Sequence, residues 1–177
     1  MRRFVGILAV FAILATATVA WRAIPNQAST LSGAWLLASV TDTAGNVNEA
    51  PQPGLWVITG THYSMMYVNG NERRERYPGD SPTDAERLAA YNTVTANSGR
   101  YEVDGDQLTF RAYVAKNPNY MGDWPDNGVT VTFQVDGDTL HWTWPTEATW
   151  PTAADEDDPW SNGSVFTFTR IEGQPAP

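Results

Sequence analysis

Leu31-Ser32-Gly33-Ala34-Trp35-Leu36-Leu37-Ala38-Ser39-Val40 is the stretch whose reading decides the fold. It is the first strand-like run after an apolar leader, and it opens with a Gly-x-Trp pair, Gly33 and Trp35. Almost everything downstream reads as further short strands separated by turn residues. The last of these, Phe166-Thr167-Phe168-Thr169-Arg170, ends on a cation. A Trp on the first strand and an Arg on the last describe a sheet that closes on itself, with the guanidinium stacked on the indole. Such a stack contributes roughly 0.5–2 kcal/mol, depending on desolvation. The expected fold is all-β: a closed antiparallel up-and-down barrel of about eight strands with one short helix.

Working outward, Asp42-Thr43-Ala44-Gly45-Asn46 is turn chemistry, and Pro51-Gln52-Pro53-Gly54 is a rigid connector. Leu55–Thr59 and His62–Val68 read as two strands around Gly60, followed by an Asn69-Gly70 turn. Val103-Asp104-Gly105-Asp106-Gln107-Leu108 and Val135-Asp136-Gly137-Asp138-Thr139-Leu140 repeat one pattern. Asp-Gly between alternating strands predicts a hairpin, because Gly accepts the positive φ the turn needs. A calcium reading of Asp-Gly-Asp lacks the further oxygen ligands and terminal Glu of a binding loop. The helix is expected after Ser81 as N-cap, with Pro82 in its first turn and Leu88 and Tyr91 on one face. Asn97-Ser98-Gly99 is expected to end it.

Alternation assigns faces. Leu108, Phe110, Ala112 and Val114 point one way, with Val131, Phe133, Leu140, Trp142, Trp144, Phe166 and Phe168 on the matching face of later strands. Thr109, Arg111, Tyr113, Thr130, Thr132, His141 and Thr143 point to water. In His62–Val68 the bulk favours Tyr63, Met65 and Tyr67 inward. Two long loops, Lys116 to Asn127 and Pro145 to Asn162, carry Trp-Pro pairs that exclude regular strand and sit where a cavity mouth would be.

The totals are consistent with one globular domain of 177 residues. A hydrophobic fraction of 42% against 18% charged is that of a folded chain and not a disordered one. The formal charge of −9 opposes phosphate backbones, so nucleic acid is not an expected partner. The absence of Cys excludes disulfides, thiolate nucleophiles and Cys-bound zinc.

Residues 1–20 read as a signal peptide: Arg2-Arg3, the apolar run Phe4–Ala20, and small-x-small sites at Ala15-Thr16-Ala17 and Thr18-Val19-Ala20. An uncleaved anchor is the alternative, since the run lies at the short edge of a membrane span. The protein is expected to be exported, periplasmic or secreted, touching a membrane only through an uncleaved leader. Residues 21–30 form a linker, 31–172 the barrel and 173–177 a tail.

Gly33-x-Trp35, Thr61-His62-Tyr63, Gly99-Arg100-Tyr101 leading into Val103-Asp104-Gly105-Asp106, Asn117-Pro118, Gly137-Asp138-x-Leu140 and the terminal Arg170 together resemble a bacterial lipocalin-like domain, over about residues 31–172. The resemblance implies that Trp35 and Arg170 pack together at the closed end of an eight-stranded barrel. Relatives often place His or Glu where this chain has Phe110, and no counterpart of the lipocalin middle motif is present.

Chemistry-bearing patterns are few. His62 and His141 are the only histidines and share no metal-ligand spacing. Neither supplies a convincing haem ligand, and no nucleophile elbow is present. No catalytic residue, metal ligand or cofactor is therefore assigned. The expected function is binding of a small hydrophobic molecule in the lumen by Tyr63, Met65, Tyr67, Phe110, Phe133, Trp142 and Trp144, in a monomer. The same side chains would equally fill a core. Two alternatives stand beside this reading: a lumen enzyme (isomerase, cyclase or hydrolase), and a packed-core envelope protein interacting through Trp150 and Trp160. Asp155–Asp158 reads as a solvated acidic loop, and Asn162-Gly163-Ser164 fits a glycosylation sequon.

Overall fold

Residues 30–70, 73–146 and 163–171 are described by a computed structural model. The leader, the linker up to residue 29, Trp150, Trp160, Asp155–Asp158, Asn162 and the tail lie outside the described residues. The elements are β1 (Gly33–Thr41), β2 (Val47–Asn48), β3 (Gly54–Thr59), β4 (His62–Val68), α1 (Asp84–Asn92), β5 (Val94–Asp104), β6 (Gln107–Ala115), a single 3-10 turn (Pro118–Met121), β7 (Val129–Asp136), β8 (Thr139–Thr143) and β9 (Val165–Arg170).

Every strand pairs antiparallel with its neighbour in the order β1-β3-β4-β5-β6-β7-β8-β9, and β9 returns to β1, closing an eight-stranded barrel. Closure removes the unpaired edges that an open sheet would present. The short β2 only extends the pairing of β1, at Val40↔Asn48 and Thr41↔Val47.

The two ends of the barrel differ because the connections differ. At one end β3–β4, β5–β6 and β7–β8 are joined by two-residue loops whose first residue is Gly60, Gly105 and Gly137, with φ of 56°, 59° and 58°. Positive φ at the first loop position matches a type II′ turn, whose twist fits the strands. The other end carries the longer connections, including α1 and the 3-10 turn.

The helix starts later than Ser81. Thr83 is the N-cap, and its hydroxyl accepts from the Glu86 N–H while the Glu86 carboxylate accepts from the Thr83 N–H, a capping box that outcompetes the Ser-Pro start. Nor does Asn97-Ser98-Gly99 end the helix. It belongs to β5, because the ladder with β4 runs unbroken from Val68↔Val94 to His62↔Arg100.

Parity on β6 changes at a bulge. Gly99 pairs with Ala112 but Ser98 pairs with Val114, so Tyr113 is the extra residue. Val114, expected inward, is therefore 58% exposed, while Ala112 stays buried. One extra residue moves everything beyond it to the opposite face. A Cβ on Gly99 would lie 1.9 Å from the Arg111 carbonyl oxygen, so the bulge needs glycine here.

Candidate functional site

The seven lumen residues named from the sequence all face into the barrel. Tyr63, Met65, Phe110, Phe133, Trp142 and Trp144 are buried, and Tyr67 is half-buried against the core. They meet one another ring to ring. Tyr63 and Phe110 are 4.8 Å apart between centroids, Phe110 and Trp142 5.5 Å, and Trp142 and Trp144 6.3 Å. Tyr67 packs on Phe166, and Phe133 faces Trp142 across the β7–β8 ladder.

Sequence reasoning did not single out the residue at their centre. Trp56 is 2% exposed and touches Tyr63, Phe110, Trp142 and Phe168, with its centroid 3.9 Å from that of Trp142. Its signal is alternation in β3, where Gly54, Trp56 and Ile58 are buried. Leu55 and Val57 on the opposite parity are also apolar, which masks it.

These edge-on aromatics pack closely on one another within the described part of the lumen. Among the described residues a small cavity of about 20 Å³ lies between them, lined by Trp56, Tyr63, Met65, Phe110 and the amides Asn97 and Asn127. That is room for about one water molecule, not for a drug-sized ligand. Burial pushes the Tyr63 phenol far above its ordinary range, and the nearby Tyr120 adds to this, so the buried hydroxyl stays neutral. Tyr101 is raised too, by burial, and its hydroxyl donates to the Gly60 carbonyl at 2.8 Å.

The outer wall has two faces. From β6 to β9 it is hydroxylic: Thr109 and Thr130 are bonded at 2.7 Å, Gln107 donates to Thr132, and His141 Nδ1 meets the Thr167 hydroxyl at 3.1 Å. On β3 to β6 it is mixed, with His62, Arg100 and Glu102 nearer the hairpin end and an apolar stretch nearer the other. There a groove of about 740 Å³ runs over Leu36, Leu55, Val57, Met66, Ala96 and Val114, with Lys116 at its margin. Met66 and Val114 are each 58% exposed, so the apolar surface is open to solvent.

At the tight end Trp35 is fully buried, and its indole N–H donates to the Leu31 carbonyl at 2.8 Å. The Arg170 guanidinium lies 4.1 Å from the Trp35 ring centroid. It donates to the Ser32 and Thr30 carbonyls and pairs with Asp138 at 3.3 Å. One cation thus ties the first strand, the last strand and the β7–β8 hairpin together.

No family model matches the chain, and no curated protein matches it. Among solved structures it is similar to a lipocalin-like protein from Bacteroides uniformis ATCC 8492. The TM-score is 0.43 at 13% identity, covering 80% of this chain and 98% of that one. It is also similar to an uncharacterized protein from Bacteroides eggerthii DSM 20697, at TM-score 0.43 and 10% identity over 78% and 98%. The fold is a closed eight-stranded antiparallel barrel.

Within this barrel the histidines lie on the outside. His62 is exposed beside Tyr113, and His141 is on the hydroxylic wall. Among the described residues no three His, Cys, Asp or Glu side chains gather as metal ligands, and no helix is long and apolar enough to cross a membrane.

Proposed function

We propose that this lipocalin-like protein is an exported binding module that takes a small hydrophobic molecule on the outside of its barrel wall. The observation that carries the reading is the groove of about 740 Å³ on the apolar outer wall, beside which the cavity between the described lumen aromatics measures about 20 Å³. The outer volume falls within the roughly 300–1,000 Å³ typical of small-molecule sites. Residues that would line a lumen site are spent on one another, and their mutual packing makes the barrel a scaffold.

Titration of the neutral dye Nile red against the parent, Met66→Asp and Trp144→Ala tests this. Saturable binding abolished by Met66→Asp supports the outer groove. Binding lost in Trp144→Ala and untouched by Met66→Asp places the ligand in the lumen, and no saturable binding to the folded parent overturns the binding reading. Export rests on Arg2-Arg3 and the run Phe4–Ala20. Fractionation of the native host with N-terminal sequencing checks it; a cytoplasmic chain that retains its leader contradicts export.

A further inference from the structure

We propose that the chain holds one internal water molecule at a polar site among the lumen aromatics, where it joins β4, β5 and the entry to β7. The proposal is independent of the outer groove. Its basis is three polar groups that line one cavity of about 20 Å³: the Tyr63 hydroxyl and the side-chain amides of Asn97 and Asn127. Tyr63 is 4% exposed and Asn97 is 7% exposed, so bulk solvent does little for either.

Each group has hydrogen-bonding capacity left over. Asn127 Nδ2 donates to the Ala112 carbonyl at 3.2 Å and to the Tyr120 carbonyl at 2.6 Å. Those two bonds use both N–H groups and fix which way the amide points. Its Oδ1 is buried and has no hydrogen-bond partner. Asn97 lies on the inward parity of β5 with Gly99 and Tyr101. Its backbone runs in the β4 and β6 ladders. Neither its side-chain amide nor the Tyr63 hydroxyl is hydrogen-bonded to a described residue. A buried polar group left unpaired bears its full desolvation cost, so such groups find partners. Three of them open on one cavity, and one partner there answers all three.

Size and chemistry select the partner. One water needs roughly 10–15 Å³ of such space and two to four polar contacts. The lining holds no Asp, Glu, Lys, Arg or His, and burial keeps the Tyr63 phenol neutral. A cation would therefore lack a countercharge, and an anion would face the Asn127 oxygen. An apolar occupant would leave all three groups unpaired. Water both donates and accepts. It can donate to Asn127 Oδ1, accept from the Tyr63 O–H, and meet the Asn97 amide with either function. The bridge couples the entry to β7 with β4 and β5, strands with which β7 shares no ladder.

Cross-relaxation between water and the isotope-labelled full chain tests the proposal. Cross-peaks with the sign of a long-lived complex are expected on the side-chain N–H protons of Asn97 and Asn127. Water magnetic relaxation dispersion should fall by one long-lived molecule in Asn97→Leu. Tyr63→Phe keeps the ring and removes one partner, and should shorten the residence time roughly five- to tenfold, as for one lost hydrogen bond. Amide spectra establish that each variant is folded. If Asn97→Leu does not fold, the parent cross-peaks and Tyr63→Phe decide. Absence of water cross-peaks at both amides of the parent overturns the site, as does an unchanged dispersion in folded Asn97→Leu. Residence unaltered by Tyr63→Phe overturns the three-point bridge. Cross-peaks at these amides from another segment of the chain, in place of water, give the site to that segment and also overturn the proposal.

Discussion

Trp35 and Arg170 face each other across the β1–β9 ladder, and the guanidinium stacks 4.1 Å from the indole centroid. The pair sits where the barrel closes, so both ends of the sheet depend on it. Trp35→Ala removes a fully buried indole and should destabilise the fold by about 3–5 kcal/mol. Arg170→Ala removes charge-assisted bonds to the Thr30 and Ser32 carbonyls and should cost about 1.5–3 kcal/mol. Chemical denaturation midpoints measure both, and midpoints equal to the parent's would show that closure does not depend on this pair.

The bulge at Tyr113 gives a prediction of parity. Val114→Asp should change stability by no more than about 0.5 kcal/mol, as for a surface position. Ala112→Asp, two residues earlier and inward, should unfold the protein or cost about 3 kcal/mol, because it buries an unpaired carboxylate. Gly99→Ala should destabilise by about 1–3 kcal/mol through the clash with the Arg111 carbonyl, while Gly79→Ala, with open space around it, should not. Thermal melts of the four variants check this, and a destabilised Val114→Asp with a stable Ala112→Asp would invert the register.

Period-2 alternation and Gly-first hairpins act over a few residues, and those features were readable from the chain. Leu108, Phe133, Trp142 and Phe168 could be placed on the inner face from their own strands alone. What was not readable depends on the partner strand. The bulge that turns Val114 outward is set by the pairing of β6 with Gly99. The start of β5 at Val94 is set by its ladder with β4, against a local sequence of Thr, Asn, Ser and Gly that reads as a helix terminator. The outer groove was hidden for the same reason. Leu55, Val57, Met66, Ala96 and Val114 come from four strands, and only the register of their pairing and the bulge on β6 put them side by side. The inner aromatic cluster centres on Trp56, whose strand is apolar on both faces.

Helix α1 carries a pH dependence of its own. The Thr83 backbone N–H, first, and its hydroxyl, second, hold the Glu86 carboxyl below its ordinary value of 4.5. A lowered folded pKa contributes stability that is present above the unfolded value and lost as pH falls through the folded one. The start of α1 should therefore fray as pH drops below 4.5, before the barrel unfolds. Amide exchange at Glu86 and Arg87 measures this. In Glu86→Gln the pH dependence should vanish, and an unchanged acid profile in that variant would remove the capping box as its cause.

The central claim is that the barrel binds on its outer wall and not in its lumen. Backbone and indole resonances followed during a dodecanol titration test it most directly. The account predicts saturable shifts at Leu55, Val57, Met66 and Ala96, with the Trp142 indole N–H and the Phe133 amide unmoved. Shifts at Trp142 and Phe133, with Leu55, Val57, Met66 and Ala96 silent, would contradict it.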